Sequence, residues 1–314
     1  VRQVGWVGEC ERLCQLGAGR DGVVTAAQAL SAGYTRDQVR HFVRSGRWSR
    51  VARGRFVPNA ERDVLGLRRG RIRAAVDSLG PGAVAVLDTA AELHTIAGLR
   101  ATSQIRVSVP VDRPRPQRTT DPDLVVHQLT LDPAEVAMVA GIPVTTAIRT
   151  VADAILRVPR YPAICLLDSA LNRQLLIEDD LAMIPALIRG RRGAVAARTW
   201  LAEADGRAQS PLETRSRLRC VDGGVPPETL QLEVRDKDGY LLGTGDLGWR
   251  TARLIAEADG RDPHRTPQAL YEDRLRQNRL VNAGWRILRF TWADTLRPDY
   301  IPETVRRALR RTQS

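Results

Sequence analysis

Four acids in the last third of the sequence, Glu213, Asp246, Glu257 and Asp259, are the residues whose types and spacing point to chemistry. Asp246 lies in YLLGTGDLGW and Glu257 in RLIAEADG, two strand-like stretches separated by so few residues that they read as a hairpin. A hairpin brings opposed positions within a few ångströms, so the two carboxylates would share one edge. Asp259 follows Glu257 by two residues, and the period of a strand turns both side chains to one face. Glu213, on a preceding helix, would reach the same group from above. Carboxylates held close together repel unless a proton or a cation neutralises them. The cluster therefore reads as a site for a hard divalent metal such as Mg²⁺, with Asp246 and Glu257 as its ligands.

Positioning these acids falls to a definite order of elements. SPLETRSRLRCV opens a helix with Ser210 as N-cap and Glu213 three residues later, the capping-box spacing, and Gly223-Gly224 closes it. TLQLEVR alternates as a half-buried strand, Asp236-Lys237-Asp238-Gly239 turns the chain, and the two acid-bearing strands follow. PQALYEDRLRQNRLVNAG is an amphipathic helix with Leu270, Leu275 and Leu280 on its apolar side and Gly284 as its stop, and WRILRFTW is a last strand. The order is helix, three strands, helix, strand.

In that order and spacing the pieces SPLE, GDLGW, EADGRDPH, the Asp273-Arg274 pair and LVNAGWRILRFTW resemble the PD-(D/E)XK nuclease superfamily, in particular its Vsr-like endonuclease branch. The resemblance covers residues 206–314 and implies an αβββαβ restriction-endonuclease-like core. It also implies a DNA endonuclease, a hydrolase in which Mg²⁺ (or Mn²⁺) activates water against a phosphodiester. Superfamily members carry a Lys two residues after the second acid. Here Asp259 holds that place, and the only Lys of the chain is Lys237. The Vsr-like branch lacks the Lys too, which points to His264 as general acid or base. The catalytic candidates are then Glu213, Asp246, Glu257, Asp259 and His264.

Near the other end, GVVTAAQALSAGYTRDQVRHFVRSGRWSRVARGRFVPN reads as a helix from Thr25 to Ser31, a turn at Ala32-Gly33, and a second helix capped by Thr35 and closed near Gly46. Two strands flank Arg53-Gly54. On the second helix Arg36, Arg40 and Arg44 recur every fourth residue and share one face, with Val39 and Val43 turned inward. Arg47, Arg50, Arg53 and Arg55 follow on the strands and their turn. This is a helix-turn-helix with a wing, whose basic stripe suits the major groove or its phosphates, and Trp48 and Phe56 are its apolar anchors. The segment resembles the N-terminal domain of AbiEi-type antitoxins of toxin–antitoxin systems, carried by GVVTAAQAL, the Gly-Tyr-Thr turn and SGRW…RGRFV. Such a resemblance implies DNA as partner and a cognate toxin or a repair or defence protein as a second one.

The whole chain is thus expected to be an α+β multidomain protein: a winged helix-turn-helix over 1–60, a mixed α/β middle domain and linker over 61–205, and the endonuclease-like domain over 206–314. In the middle, LRRGRIRAAVDSLG, VTTAIRTVADAILRVP, PAICLLDSALNRQL and DDLAMIPALIRG read as helices, with strands in AVAV, IRVSVPV and DLVVHQL. This middle stretch loosely resembles the segment that follows the winged helix in AbiEi-like proteins. His94 and His127 sit in apolar runs as structural residues, and 202–209 is small and polar, a natural linker. Residues 1–17 read as a lead-in helix.

Composition sets limits on the rest. The 314 residues carry a formal charge of +12, nearly all of the positive charge from Arg, whose planar fork suits phosphate, so nucleic acid is the expected partner. No apolar run approaches the roughly 18–20 residues of a membrane span and no apolar leader is visible, so a cytoplasmic protein is expected. Cys10, Cys14, Cys165 and Cys220 lack zinc-ligand spacing and read as reduced thiols. No Walker, Rossmann, HExxH or GxSxG motif occurs. The function expected is that of a DNA-binding metal-dependent endonuclease; the alternative is a transcriptional regulator of the antitoxin kind whose nuclease-like domain is inactive and only grips DNA or a partner.

Overall fold

A computed structural model of the chain describes residues 17, 19–58, 64–114, 121–260 and 266–310. They fall into two compact units, one within Val1–Thr95 and Arg100–Asp153, the other within Ile96–Leu99 and Ala154–Ser314. Cys10, Cys14, His264 and all but the end of the expected lead-in helix lie outside the described residues.

The first unit opens with two small polar residues that each stop a strand or turn and start a helix. Thr25 ends β1 (Val24–Thr25) and caps α1 (Ala26–Ser31): its hydroxyl accepts from the Gln28 N–H, while the Gln28 carboxamide oxygen accepts from the Thr25 N–H. Thr35 and Gln38 make the same reciprocal cap on α2 (Arg36–Arg44). Gly33, at φ 100°, turns the chain between the helices, a conformation a side chain would strain. β2 (Trp48–Ala52) and β3 (Arg55–Pro58) form the wing, and β1 adds to the other edge of β3. Val24, Ala29, Tyr34, Val39, Phe42, Trp48 and Phe56 are its buried core. The Trp48 ring stacks on Phe42 at 5.5 Å and meets the edge of Tyr34 at 5.2 Å. Truncating Trp48 to Ala would cost about 3–5 kcal/mol. The expected winged helix is present, with Trp48 and Phe56 as its anchors.

Behind the wing, α3 (Val64–Leu79) serves two layers. Ala74 joins Val23, Val51 and Val57, whereas Ile72, Ala75 and Val76 pack on a five-stranded sheet. That sheet is built from β4 (Val84–Ala85), β5 (Ile105–Ser108), β6 (Leu124–His127), β7 (Val136–Val139) and β8 (Ile142–Thr145), in the order β6-β5-β4-β8-β7. α4 (Leu87–Leu93) follows β4, and His94 just beyond it places Nε2 2.7 Å from the Thr145 carbonyl, a structural bond. No strand is expected from the sequence over 136–145. The β7–β8 hairpin turns on Ala140 and Gly141, both at positive φ (48° and 73°), and an Ala in the first of these places hides the turn.

The second unit begins around α5 (Ala147–Ile155) and continues with α6 (Arg160–Asn172). The single helix expected over 179–190 breaks into α7 (Glu178–Leu181) and α8 (Ile184–Leu187), because Pro185 has no N–H for the carbonyl one turn back. α9 (Ala194–Trp200) precedes α10 (Pro211–Asp222). β9 (Thr229–Arg235), β10 (Leu241–Trp249), β11 (Leu254–Ala258), α11 (Pro267–Asn282) and β12 (Arg286–Phe290) then follow in the expected order. The sheet runs β12-β11-β10-β9, antiparallel except for β11 with β12, which α11 joins as a crossover. One face, with Leu230, Leu247, Ala256 and Phe290, packs on Cys220 of α10 and on Ile301 and Val305. These two belong to α13 (Tyr300–Arg310), which follows the short α12 (Trp292–Thr295). The other face, with Leu232, Val234 and Ile255, packs on Leu280 of α11. Leu275, expected on the apolar side of α11, is exposed.

Residues 202–209 do not hang free. Ala208 is buried in the second unit's core, and the Asp205 N–H donates at 2.7 Å to Asp168 of α6. Asp168, fully buried, also accepts from Thr214 at 2.7 Å and from Arg217 of α10 at 2.9 Å. A buried carboxylate needs this many donors, and the need ties α6 and the 202–209 stretch to α10. Cys165 and Cys220 are free, buried thiols, and burial pushes both up to about 12. No helix among the described residues is long and apolar enough to cross a membrane.

Candidate functional site

The acid-bearing strands carry an irregularity where the acids sit. Leu230 and Leu232 lie two apart on β9 yet pack on opposite faces of the sheet, and the switch falls at Gln231, whose φ is 49°. On β10 a side chain at Gly245 would meet Ile255 on the α11 face, while Leu247 packs on the opposite face, so that switch falls at Asp246. Pairs Leu230↔Leu247 and Leu232↔Gly245 set Gln231 opposite Asp246, and Leu247↔Ala256 carries the row on to Glu257. Glu257 in turn pairs with Arg289 on β12. One row across the sheet thus reads Gln231, Asp246, Glu257, Arg289.

Glu213 joins this row from α10. Its carboxylate accepts from the Gln209 N–H (2.8 Å), the Ser210 hydroxyl (2.8 Å) and the Gln231 carboxamide (2.9 Å), while its own N–H donates to Ser210 Oγ at 3.2 Å. The expected cap is made, with Gln209 rather than Ser210 supplying the backbone donor. Gln231 lies in the register place opposite Asp246, so its carboxamide sits between the two acids. Asp246 Oδ2 accepts from the Ala258 N–H at 2.7 Å. Burial raises the Asp246 carboxyl, the Ala258 bond opposes the rise and the Glu257 charge adds to it; burial likewise raises Glu213, with the Asp246 charge adding.

Asp246, Glu257 and Asp259 line one cavity of about 450 Å³ together with Asp273, Arg276 and Arg289. Glu257 is buried, and two guanidiniums already hold it: Arg276 Nη1 lies 2.7 Å from Oε1 and Arg289 Nε 3.2 Å from Oε2. The first contact is ionic without hydrogen-bond alignment, which leaves Oε1 without a hydrogen bond. Both arginines also bind Asp273, at 2.8 and 3.0 Å. Burial works against the charge on Asp273, and Arg276 and Arg289 outweigh it, holding the carboxyl below its usual range. Among the described residues no three His, Cys, Asp or Glu side chains form a group that could hold a metal. In this arrangement the donors do not fit a Mg²⁺ ion, since guanidiniums stand where a cation would balance Glu257. Gln231, Arg276 and Arg289 were not expected at this site. Only strand register and the α11 crossover bring them there, although Arg276 follows Asp273 by one helical turn in the sequence.

On the winged helix, Arg36, Arg40, Arg44, Arg47, Arg50 and Arg53 are exposed. Arg40 meets Asp37 at 3.2 Å, both well exposed, a pair worth little to stability. Arg47 lies 6.0 Å over the Phe42 ring. Arg55 differs from the rest: it is half-buried, and its Nε donates at 3.4 Å to the Ala74 carbonyl, a bond within the fold.

Residues 11–57 match the family described as Transcriptional regulator, AbiEi antitoxin, so the chain carries a regulator domain of this type at its N-terminal end. Two proteins of Mycobacterium tuberculosis, MT2308 of strain CDC 1551 and Rv2248 of strain H37Rv, are each 33% identical to this chain over 254 residues, covering 81% of it and 89% of their own length. The crystal structure of the RV2827C protein of the same species shares 16% identity over 73% of this chain and 88% of its own, at a TM-score of 0.40. That likeness is too slight for a common fold to follow from it.

Proposed function

The chain belongs to one family with the two M. tuberculosis proteins, and from that premise, with its AbiEi-type domain, we propose that it is a duplex-DNA-binding regulator. One observation carries this reading: a helix capped at Thr35, supported on the Trp48–Phe42 core, presents Arg36, Arg40 and Arg44 to solvent with Arg47, Arg50 and Arg53 beside them. Guanidiniums on a rigid helix release phosphate counterions on docking and can enter the major groove. Fluorescence anisotropy of labelled duplex DNA against salt tests it. Affinity falling steeply with salt is expected, and salt-independent or absent binding would exclude the reading. The antitoxin resemblance adds a toxin as a possible protein partner.

A second reading makes the C-terminal unit a Mg²⁺- (or Mn²⁺-) dependent endonuclease of the PD-(D/E)XK, Vsr-like kind. It is favoured by Asp246 and Glu257 lying in adjacent places on paired strands and lining one cavity with Asp259. It requires Arg276 to leave Glu257 before a cation could be held. Plasmid nicking with Mg²⁺, Mn²⁺ or chelator decides it: metal-dependent nicking that Asp246→Asn abolishes supports hydrolysis here, and no nicking by the parent removes it.

A further inference from the structure

The described residues of the second unit carry an arginine–aromatic surface apart from the acid-lined cavity. Arg215 and Arg219, one turn apart on α10, lie 5.2 and 4.8 Å from the Tyr161 ring centre, and Arg215 lies 4.9 Å from that of Trp292. Both guanidiniums are fixed in place: Nε of Arg215 donates to Thr295 Oγ1 at 3.1 Å, and Nε of Arg219 to the Thr295 carbonyl at 2.8 Å. Trp292, Leu296 and Tyr300 are nevertheless 50%, 59% and 43% exposed, and Arg297 stands 5.6 Å over the Tyr300 ring. Of the acids beside this surface, Asp222 is held by Arg160 and the Tyr161 hydroxyl and Glu303 by Arg307, while Asp294 caps its own helix through Thr291 and Asp299 is exposed. Trp292 follows Arg289, which lines the cavity, by three residues.

An exposed indole backed by a guanidinium on one side suits a flat, electron-poor ring on the other, and the surrounding arginines suit an anionic chain. Nucleic acid offers both, but a paired base hides its faces in the stack. We propose that Trp292, backed by Arg215 and flanked by Arg219 and Arg297, is a stacking site for an unpaired base of single-stranded DNA, distinct from the duplex-binding winged helix. The assignment rests on the reading of the protein as a DNA binder.

The full chain is tested with a fluorescein-labelled oligo-dT single strand and a labelled duplex, in chelator, for the parent, Trp292→Ala, Trp292→Phe and Arg297→Ala. Trp292→Ala should weaken single-strand binding about tenfold and Trp292→Phe much less, with duplex affinity unchanged. Thermal melting checks that each variant is folded. Should Trp292→Ala melt early, Arg297→Ala carries the test, with about a threefold loss for the single strand alone. Parent protein that binds duplex but not oligo-dT overturns this inference and leaves the regulator reading standing. Equal loss for both probes, or none in a folded variant, also overturns it. Absence of all DNA binding defeats both readings.

Discussion

On α2 and the wing, Arg36, Arg40, Arg44, Arg50 and Arg53 stand in solvent, and only Arg40 of these makes an ion pair among the described residues. In the second unit Arg217, Arg276 and Arg289 are committed to Asp168, Glu257 and Asp273 of their own chain. Arginine serves two opposite purposes here. An exposed guanidinium keeps its hydration until a polyanion displaces counterions, so it adds to binding and little to folding. A paired one, buried for Arg217 and partly exposed for Arg276 and Arg289, is committed to carboxylates within the fold and is not free for a ligand. The same comparison separates the two functional readings, since a regulator needs only the first kind, whereas a metal-dependent nuclease needs the second kind to let go.

Removing a committed partner should have the largest effect. Asp168→Ala leaves the buried Arg217 without its carboxylate and should lower stability by about 3–5 kcal/mol in urea titrations. A loss below about 1 kcal/mol would mean the pair is not the link between α6 and α10. Next in size is the exposed stripe. Arg36, Arg40 and Arg44 all changed to Ala should weaken duplex binding about a hundredfold and reduce the salt slope by about 2.7, with the melting temperature held. An unchanged slope would place the DNA surface elsewhere.

Arg276→Ala should lie between the two kinds. Glu257 keeps Arg289 but loses its other cation, for a cost of about 1.5–3 kcal/mol in chelator. If Mg²⁺ restores part of that loss, the cavity accepts a cation and the nuclease reading gains. If it restores nothing, the cavity is a structural ion-pair network.

Smallest is Asp246→Asn. Burial raises the folded-state carboxyl above its unfolded value, so Asp246 contributes stability below the unfolded value, near pH 4, and loses it as pH rises through the folded one. The Asn variant should therefore melt about 2 °C higher at neutral pH, with no gain at pH 3. A lower melting point at neutral pH would show the carboxylate to be favourably held, as by the Ala258 N–H, and not strained by its neighbours.

Much of this was legible in the chain. Thr35 as the cap of α2, the Arg spacing of that helix, and the Trp48 and Phe56 anchors are local signals, each acting within one turn or one hairpin. The order of elements from Ser210 to Phe290 was equally local, as caps, turn glycines and strand alternation declare themselves within a few residues. The β7–β8 hairpin escaped because Ala140 occupies a left-handed place usually marked by Gly or Asn. The packing of 202–209 escaped because small polar residues read as a linker until Asp168, more than thirty residues earlier, is seen to need a donor there.

By itself the sequence determined which residues are acidic, which helices carry arginine outward and where each element starts, because propensity, capping and periodicity act over short separations. Tertiary structure alone decided the company those acids keep. The faces exchanged at Gln231 and Asp246, and the α11 crossover that delivers Arg276 to Glu257, depend on register between strands and on a helix many residues away. Whether a buried carboxylate meets a guanidinium or a cation position is a matter of three-dimensional electrostatics, and no spacing along the chain encodes it.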